Sequence, residues 1–292
     1  MGRFVDPATP SAISREALLS LLDDPSPAVR RALLAHFAAN GGEAESFLRD
    51  VASGKHRALA WHARRFLEEL NCSDPVAEFR TFIRSLSYEL ETGSLMLART
   101  VNPRLDAGRC CEQLDAIAAR CRELIVEPSS AREKCRVLNR VLFHDYGFRG
   151  NIEHYTDPLN SFLDVVLERK KGIPVSLSIV YLLVAQRVGL ELEPVGLPGH
   201  FMVGCFLDAE PFFIDAFDGG ILRSADEILG LLRAHEIDPS PLDLAPTPVR
   251  EVLCRSCRNL VQHYTAAGEI ERAGLFAGFV GEFESTYERN AT

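Results

Sequence analysis

The stretch that decides the fold is Gly172–Gly220, which reads GIPVSLSIVYLLVAQRVGLELEPVGLPGHFMVGCFLDAEPFFIDAFDGG. Pro174 suits the first position of a helix, where a missing N–H leaves no bond unmade, and Gly189 suits the position just past its end. The residues between them are apolar almost all round. This predicts a helix that is buried on every side.

Two apolar strands follow this helix. The sequence predicts them at Glu193–Leu207, with a break at Pro198-Gly199, and at Phe212–Phe217, joined by a tight turn. Both faces of the pair are apolar, so we expect the sheet to be covered on both sides. The predicted fold class is therefore α+β and mostly helical, with a buried helix packed on a small antiparallel sheet.

One histidine and one aspartate on these strands are candidate functional residues. Side chains alternate along a strand, so a two-residue or four-residue loop places His200 and Asp215 on the same face of the sheet. In one of these registers the two residues stand directly opposite each other. Cys205, five residues after His200, then points to the other face.

A shorter helix is predicted just before the buried one. Asn160 or Ser161 can cap it, and it runs to Lys171 with Gly172 as its left-handed cap. The basic run Arg169–Lys171 suits the negative end of the helix dipole.

Both ends of the chain have the pattern of short antiparallel helices. In the first 75 residues, one helix ends near Leu22 and a second, which Ser26 can cap, ends at Gly41-Gly42. This part resembles HEAT-type repeats. The tail from Pro246 resembles one tetratricopeptide unit with Gly268 at its turn. We therefore expect a HEAT-like segment at 1–75, a core at 76–245 and a helical hairpin at 246–292.

Composition limits the function classes. The chain has 292 residues, a formal net charge of −9 and a pI of about 5.5, which argues against a nucleic-acid-binding surface. The opening MGRFVDPATPSAIS has no apolar core of a signal peptide, and no uninterrupted apolar window approaches a membrane span. We expect a cytoplasmic protein with no membrane or nucleic-acid partner.

The eight cysteines and the acidic loop residues are weak candidates for metal sites. The cysteines are scattered through helical segments, which favours free thiols, and the CRSC motif at Cys254–Cys257 lacks a second ligand pair. His144, Asp145, Glu153, His154 and Asp157 lie close in sequence but without a recognisable ligand spacing. We expect no metal and no obligatory cofactor.

Several separated strings in the right order make the region from Glu91 to Gly220 similar to the SirB1 family, a branch of the transglutaminase-like (papain-like) superfamily. The matching strings are ETGSLMLAR, LDAIAAR, GFRGN, DPLNSFLDVVLERKKGIPVSLSIVY, LPGHF and IDAFDGG.

The resemblance implies a set of site residues. In catalytic members of the superfamily, a cysteine at the start of the buried helix is activated by a histidine and an aspartate. These two fall on His200 and Asp215 here. The helix start, GIPVSLS, contains no cysteine. The position of the catalytic cysteine, which we call the nucleophile slot, falls near Pro174 or Val175, and Ser176 offers a nearby hydroxyl. Further residues are predicted to line a groove beside the helix start: Arg149, Asn151, Tyr155, Asn160, Gly172 and Pro174.

Two functions remain open from the sequence. The preferred one is a regulatory or protein-interaction protein on a transglutaminase-like scaffold that lacks its nucleophile, with a protein partner and an unspecified oligomeric state. The alternative is a hydrolase or acyl-transfer enzyme of the peptidase or amidase type, which would use Ser176, His200 and Asp215.

Overall fold

The computed structural model describes residues 15–24, 26–70 and 74–290, and it divides into two compact units, Met1–Asp74 and Pro75–Thr292. Residues 1–14 and Cys72, on which the expectations about a leader sequence and a free thiol partly rest, lie outside the described ranges.

The first unit is helical. Its helices are α1 (Arg15–Leu21), α2 (Pro27–Ala52) and α3 (Arg57–Glu69). Gly41 leaves the helical backbone (φ 44°, ψ −115°), so α2 consists of two helical segments that meet at a kink where the sequence predicts a helix end. Ser26 is the N-cap residue of α2 and Pro27 opens the helix, as predicted, but the Ser26 side chain makes no capping hydrogen bond within the described residues. Phe37 and Phe66 meet edge to face in the core, with 5.3 Å between ring centroids.

The second unit holds the remaining elements. Its helices are α4 (Pro75–Arg84), α5 (Leu90–Arg99), α6 (Ala107–Leu124), α7 (Ala131–Asn139), α8 (Leu163–Arg169), α9 (Pro174–Arg187), α10 (Ala225–Ala234), α11 (Val249–Ala266) and α12 (Ile270–Asn290). α11 and α12 form a hairpin that turns at Gly268 (φ 77°) and packs on α4 and α5. Phe79, Phe276, Phe279 and Phe283 fill the apolar core between them.

The predicted buried helix is confirmed as α9. Every residue from Pro174 to Ala185 is buried, and α6, α8 and the sheet pack around it. Gly189 follows its end with φ 70°, a conformation that glycine adopts without strain. Tyr181, fully buried in this helix, donates its hydroxyl proton to Asn139 Oδ1 over 2.9 Å. α9 is therefore the central element of the second unit.

The sheet has more strands than the sequence suggests. Its antiparallel order is β3 (Glu193–Leu197), β4 (His200–Cys205), β5 (Phe212–Asp215) and β6 (Ile221–Ser224). The predicted strand at 193–207 is in fact two strands that fold back on each other at Pro198-Gly199, where Gly199 has φ 72°. The predicted tight turn before Phe212 is also wrong, because Cys205 pairs with Phe212 and leaves residues 206–211 as the loop.

Both faces of the sheet are covered, as predicted. Phe201 and Val203 belong to the core around α9. Met202 and Phe213, on the opposite face, pack with Ile228 of α10. His200 has the same strand parity as Met202, so its side chain belongs to the face that α10 covers.

The end of α8 differs from its prediction. Asn160 and Ser161 do not cap this helix; they lie in a 3₁₀ turn, Pro158–Ser161, and Phe162 precedes α8 without a side-chain cap. Lys170, with φ 56°, takes the left-handed cap position expected for Gly172. Gly172 instead belongs to β2 (Lys171–Gly172), which pairs in parallel with β1 (Arg149–Gly150).

Within the described ranges, no helix combines the length and the apolar character needed to cross a bilayer. The cysteines described there are free thiols, as expected, and burial raises the pKa of Cys254 in the CRSC motif to about 11.

Candidate functional site

His200 and Asp215 form a hydrogen-bonded pair at one end of the sheet. The distance from His200 Nε2 to Asp215 Oδ2 is 3.0 Å. The β4–β5 register, extended by one position beyond Val203–Ile214, places Asp215 opposite Met202, two residues from His200, so His200 and Asp215 form a diagonal pair. The prediction that His200 and Asp215 share a face is confirmed, although the loop has six residues. In this register every residue pair between β4 and β5 has one odd and one even number, so even-numbered His200 and odd-numbered Asp215 lie on the same face.

Several groups hold Asp215 in its charged form. Its Oδ1 accepts a hydrogen bond from the Asp218 amide at 3.2 Å, and Arg223 Nε lies 3.7 Å from Oδ2. Burial alone raises the pKa of Asp215, but the hydrogen bond and charge of His200, the Asp218 amide and Arg223 outweigh it. The net pKa lies below its ordinary value. A charged carboxylate fixes the orientation of the imidazole.

The His200 ring is partly open to solvent, with 28% of its side chain exposed. Phe217 packs edge-on against it with 6.4 Å between ring centroids, and Tyr155 packs edge-on against Phe217 at 5.9 Å. His200 Nδ1 has no hydrogen-bond partner among the described residues. This nitrogen is therefore available to a bound molecule.

A groove of about 380 Å³ lies beside His200. We call it the histidine groove; its lining includes Pro174, Val175, Gly199, His200, Arg255 and His263. The groove thus joins the start of α9, the beginning of β4 and one side of α11.

Ser176 is not joined to His200. Its buried hydroxyl donates to the carbonyl oxygen of Asn160 over 2.6 Å and accepts the Ile173 N–H over 3.0 Å. No hydrogen bond connects Ser176 to His200 in the part of the chain that the structure describes. The hydroxyl that the sequence offers as a substitute nucleophile instead ties the first turn of α9 to the preceding 3₁₀ turn.

The predicted groove residues divide into two groups. Asn151 and Asn160 belong to the buried bonding around Ser176, with Asn151 Nδ2 donating to Asn160 Oδ1 over 2.8 Å. Gly172 packs there too, since an added Cβ would lie 2.6 Å from Ser176 Oγ. Pro174 and Tyr155 line the histidine groove itself, whereas Arg149 is exposed on β1 and is not among the groove's lining residues.

A family model described as the transglutaminase-like superfamily matches residues 109–258, just over half of the chain. These residues include α9, the sheet, the His200–Asp215 pair and the first half of α11. The chain belongs to the transglutaminase-like superfamily.

Curated relatives of this transglutaminase-like chain include proteins named UPF0162 protein. One from Xylella fastidiosa strain Temecula1 is 35% identical over 194 residues, which cover 64% of this chain and 69% of that protein. One from Vibrio cholerae serotype O1 is 29% identical over 135 residues, 46% of this chain and 50% of that protein. F-box only protein 21 of Mus musculus is 38% identical over 95 residues, 32% of this chain and 15% of that protein. No solved structure matches the chain.

The start of α9, where the resemblance predicts a nucleophile, contributes no thiol to the groove. Pro174 and Val175, at the start of α9, line the groove next to His200. Cys205 lies in the core around α9, on the face of β4 opposite to His200, and burial raises its pKa. The predicted placement of Cys205 on the other face is confirmed.

Arg255 is the groove residue that the sequence analysis missed. Its guanidinium carbon lies 5.6 Å from the centroid of the Phe201 ring, and burial lowers its pKa. The signal in the sequence was an arginine inside a predicted helical segment. In the structure, most of the residues around Arg255 in this segment, from Val252 to Leu260, are buried. His263 also lines the groove; it is 5% exposed, and its Nδ1 has no hydrogen-bond partner among the residues that the structure describes.

No group of three or more His, Cys, Asp or Glu side chains in the described ranges is arranged to hold a metal ion. The three acidic residues considered above as ligands form ion pairs instead: Asp145 with Arg120, Glu153 with Lys171, and Asp157 with Arg169 at 2.9 Å.

Proposed function

We propose that this chain is a non-catalytic, regulatory protein-interaction protein that uses its transglutaminase-like core as a peptide-binding module. One observation carries the proposal: His200, which is hydrogen-bonded to Asp215, lines a groove to which the start of α9 contributes Pro174 and Val175 and no thiol. Covalent catalysis of this type needs a nucleophile beside its base. A groove that keeps its shape and polar groups without one can still bind a partner.

The SirB1 assignment and the nature of the two ends belong to the same proposal. The separated strings from Glu91 to Gly220 support a SirB1-type core. The short helices of the first unit and the α11–α12 hairpin support HEAT-like and tetratricopeptide-like segments, which typically bind protein partners.

The alternative hydrolase needs Ser176 to lose a proton to His200. A general base must lie within roughly 3 Å of the hydroxyl, directly or through one water. The Ser176 hydroxyl is already bonded to Asn160 and Ile173, so no observation favours this alternative.

A fluorophosphonate probe tests the absence of catalysis. We expect no labelling of Ser176 in the wild-type protein, with Ser176→Ala as the matched control. Specific labelling of Ser176 that disappears in His200→Ala would contradict the proposal and favour the hydrolase.

Restoring the missing thiol tests the position of the slot. In Val175→Cys, His200 should stabilise the thiolate; a pKa lowered by about one unit raises the thiolate fraction at pH 7 but lowers its intrinsic reactivity, which leaves alkylation by iodoacetamide about threefold faster. The control is the double variant Val175→Cys/His200→Ala, whose alkylation rate is compared with that of Val175→Cys. Equal alkylation rates in the two proteins would show that position 175 is not the slot.

A further inference from the structure

Arg255 differs from the other partly buried arginines of the second unit. Arg187 pairs with Glu91 and Asp115, and Arg258 pairs with Glu251 and with Glu284. For Arg255, no carboxylate oxygen of the described residues lies within the 4.0 Å that defines an ion pair.

The carboxylate nearest to Arg255 along α11 is already engaged. Glu251 accepts from Arg258 and lies 3.4 Å from Arg250. Partial burial of a charged guanidinium is unfavourable unless a partner replaces the lost water, so an anion in the groove would be a favourable partner for Arg255. The five N–H donors of a guanidinium match the two oxygens of a carboxylate.

A second cavity adjoins the histidine groove. It measures about 340 Å³, and Gly199 and His200 line both cavities. We call it the apolar pocket; its aliphatic lining is Leu197, Met202, Ile228, Leu231, Leu232 and Ile237. Volumes of roughly 300–1,000 Å³ are usual for ligand pockets. A continuous ligand that crosses His200 therefore meets a cationic site on one side and an aliphatic site on the other.

We propose that the site binds an extended peptide segment in which an acidic side chain pairs with Arg255 while a neighbouring aliphatic side chain fills the apolar pocket. This inference rests on the proposed peptide-binding function and specifies the chemistry of its ligand. The complementary chemistry of the two cavities, joined at His200, selects an internal Asp or Glu flanked by an aliphatic residue.

The test uses the full chain and fluorescein-labelled peptides with capped ends. Each peptide has a Gly-Ser background with one Leu and one Glu, separated by zero to three residues, and a matched peptide has Gln in place of Glu. Fluorescence anisotropy gives the dissociation constants. At the preferred spacing we expect the Glu peptide to bind at least about tenfold more tightly than the Gln peptide, because a charged hydrogen bond replaces a neutral one.

Substitutions in the protein test whether Arg255 causes the preference for Glu over Gln. Arg255→Met should abolish the preference for Glu over Gln, and Arg255→Lys should keep part of it. Arg104→Gln, at an exposed arginine that lines neither cavity, should leave the preference unchanged. Ile228→Asp should weaken the Leu-containing peptides relative to peptides with Ser in place of Leu.

The outcomes separate this inference from the proposed function. Equal binding of Glu and Gln peptides, a preference that survives Arg255→Met, or no binding by any peptide would each overturn it. Mass spectrometry of the recovered peptides supplies the other readout. A cleaved or modified peptide would contradict a non-catalytic function even if the Arg255-dependent preference for Glu is present.

Discussion

Replacing Gly172 by alanine should disrupt the buried contacts that anchor the start of α9. A Cβ at this position would lie 2.6 Å from Ser176 Oγ, 3.1 Å from Leu177 Cγ and 3.3 Å from Val166 Cγ1. The φ angle of Gly172 lies outside the left-handed region, so alanine meets no backbone strain there. The whole effect is therefore steric.

The magnitude follows from two contributions. Overpacking of a tight core costs about 1–3 kcal/mol. Displacing the Ser176 hydroxyl also weakens its bonds to Asn160 and Ile173, which contribute about 0.5–1.5 kcal/mol each. We expect Gly172→Ala to lower the free energy of unfolding by about 2–6 kcal/mol, the upper end applying if both hydrogen bonds are lost entirely.

A double-mutant cycle with Ser176→Ala tests the cause. Removing the hydroxyl takes away the closest atom, so the double variant should be more stable than the sum of the single effects predicts, by about 1 kcal/mol. Urea unfolding followed by circular dichroism gives these free energies. Trp61, the only tryptophan of the sequence, lies in the other compact unit, so its fluorescence does not report on this site. Strict additivity, or a Gly172→Ala effect below about 0.5 kcal/mol, would refute the steric explanation.

Two further predictions concern charged groups of the site. Because the folded-state pKa of Asp215 is lowered, its charge stabilises the fold above the ordinary aspartate pKa of about 4, and this contribution is lost as the pH falls through the lower folded value. The stability difference between wild type and Asp215→Asn, measured by urea unfolding from pH 2.5 to 7, should therefore shrink toward low pH, and a constant difference would be contrary to this. Arg255→Met removes a partly buried guanidinium that has no carboxylate of the described residues within ion-pair distance. The variant should match or exceed the wild type in thermal stability, and a loss above about 1 kcal/mol would mean that Arg255 is satisfied within the fold.

Local patterns in the sequence determined much of the second unit. The apolar run from Pro174 to Ala185 requires burial on every side of a helix, wherever that helix lies. Side chains alternate between the faces along β4 and β5. His200 and Asp215 therefore share a face in every register that pairs an even-numbered residue of β4 with an odd-numbered residue of β5. The missing cysteine is visible in GIPVSLS itself. These features depend on residues a few positions apart, so the local chain fixes them.

The tertiary structure decided which groups meet. Ser176 could face His200 as far as helix periodicity is concerned, but the 3₁₀ turn offers the Asn160 carbonyl oxygen 2.6 Å from its hydroxyl. Arg255 and His200, 55 positions apart in the sequence, line the same groove because α11 packs on α9 and β3. Such convergence depends on how whole elements pack, and neither hydrophobic periodicity nor a short motif carries that information.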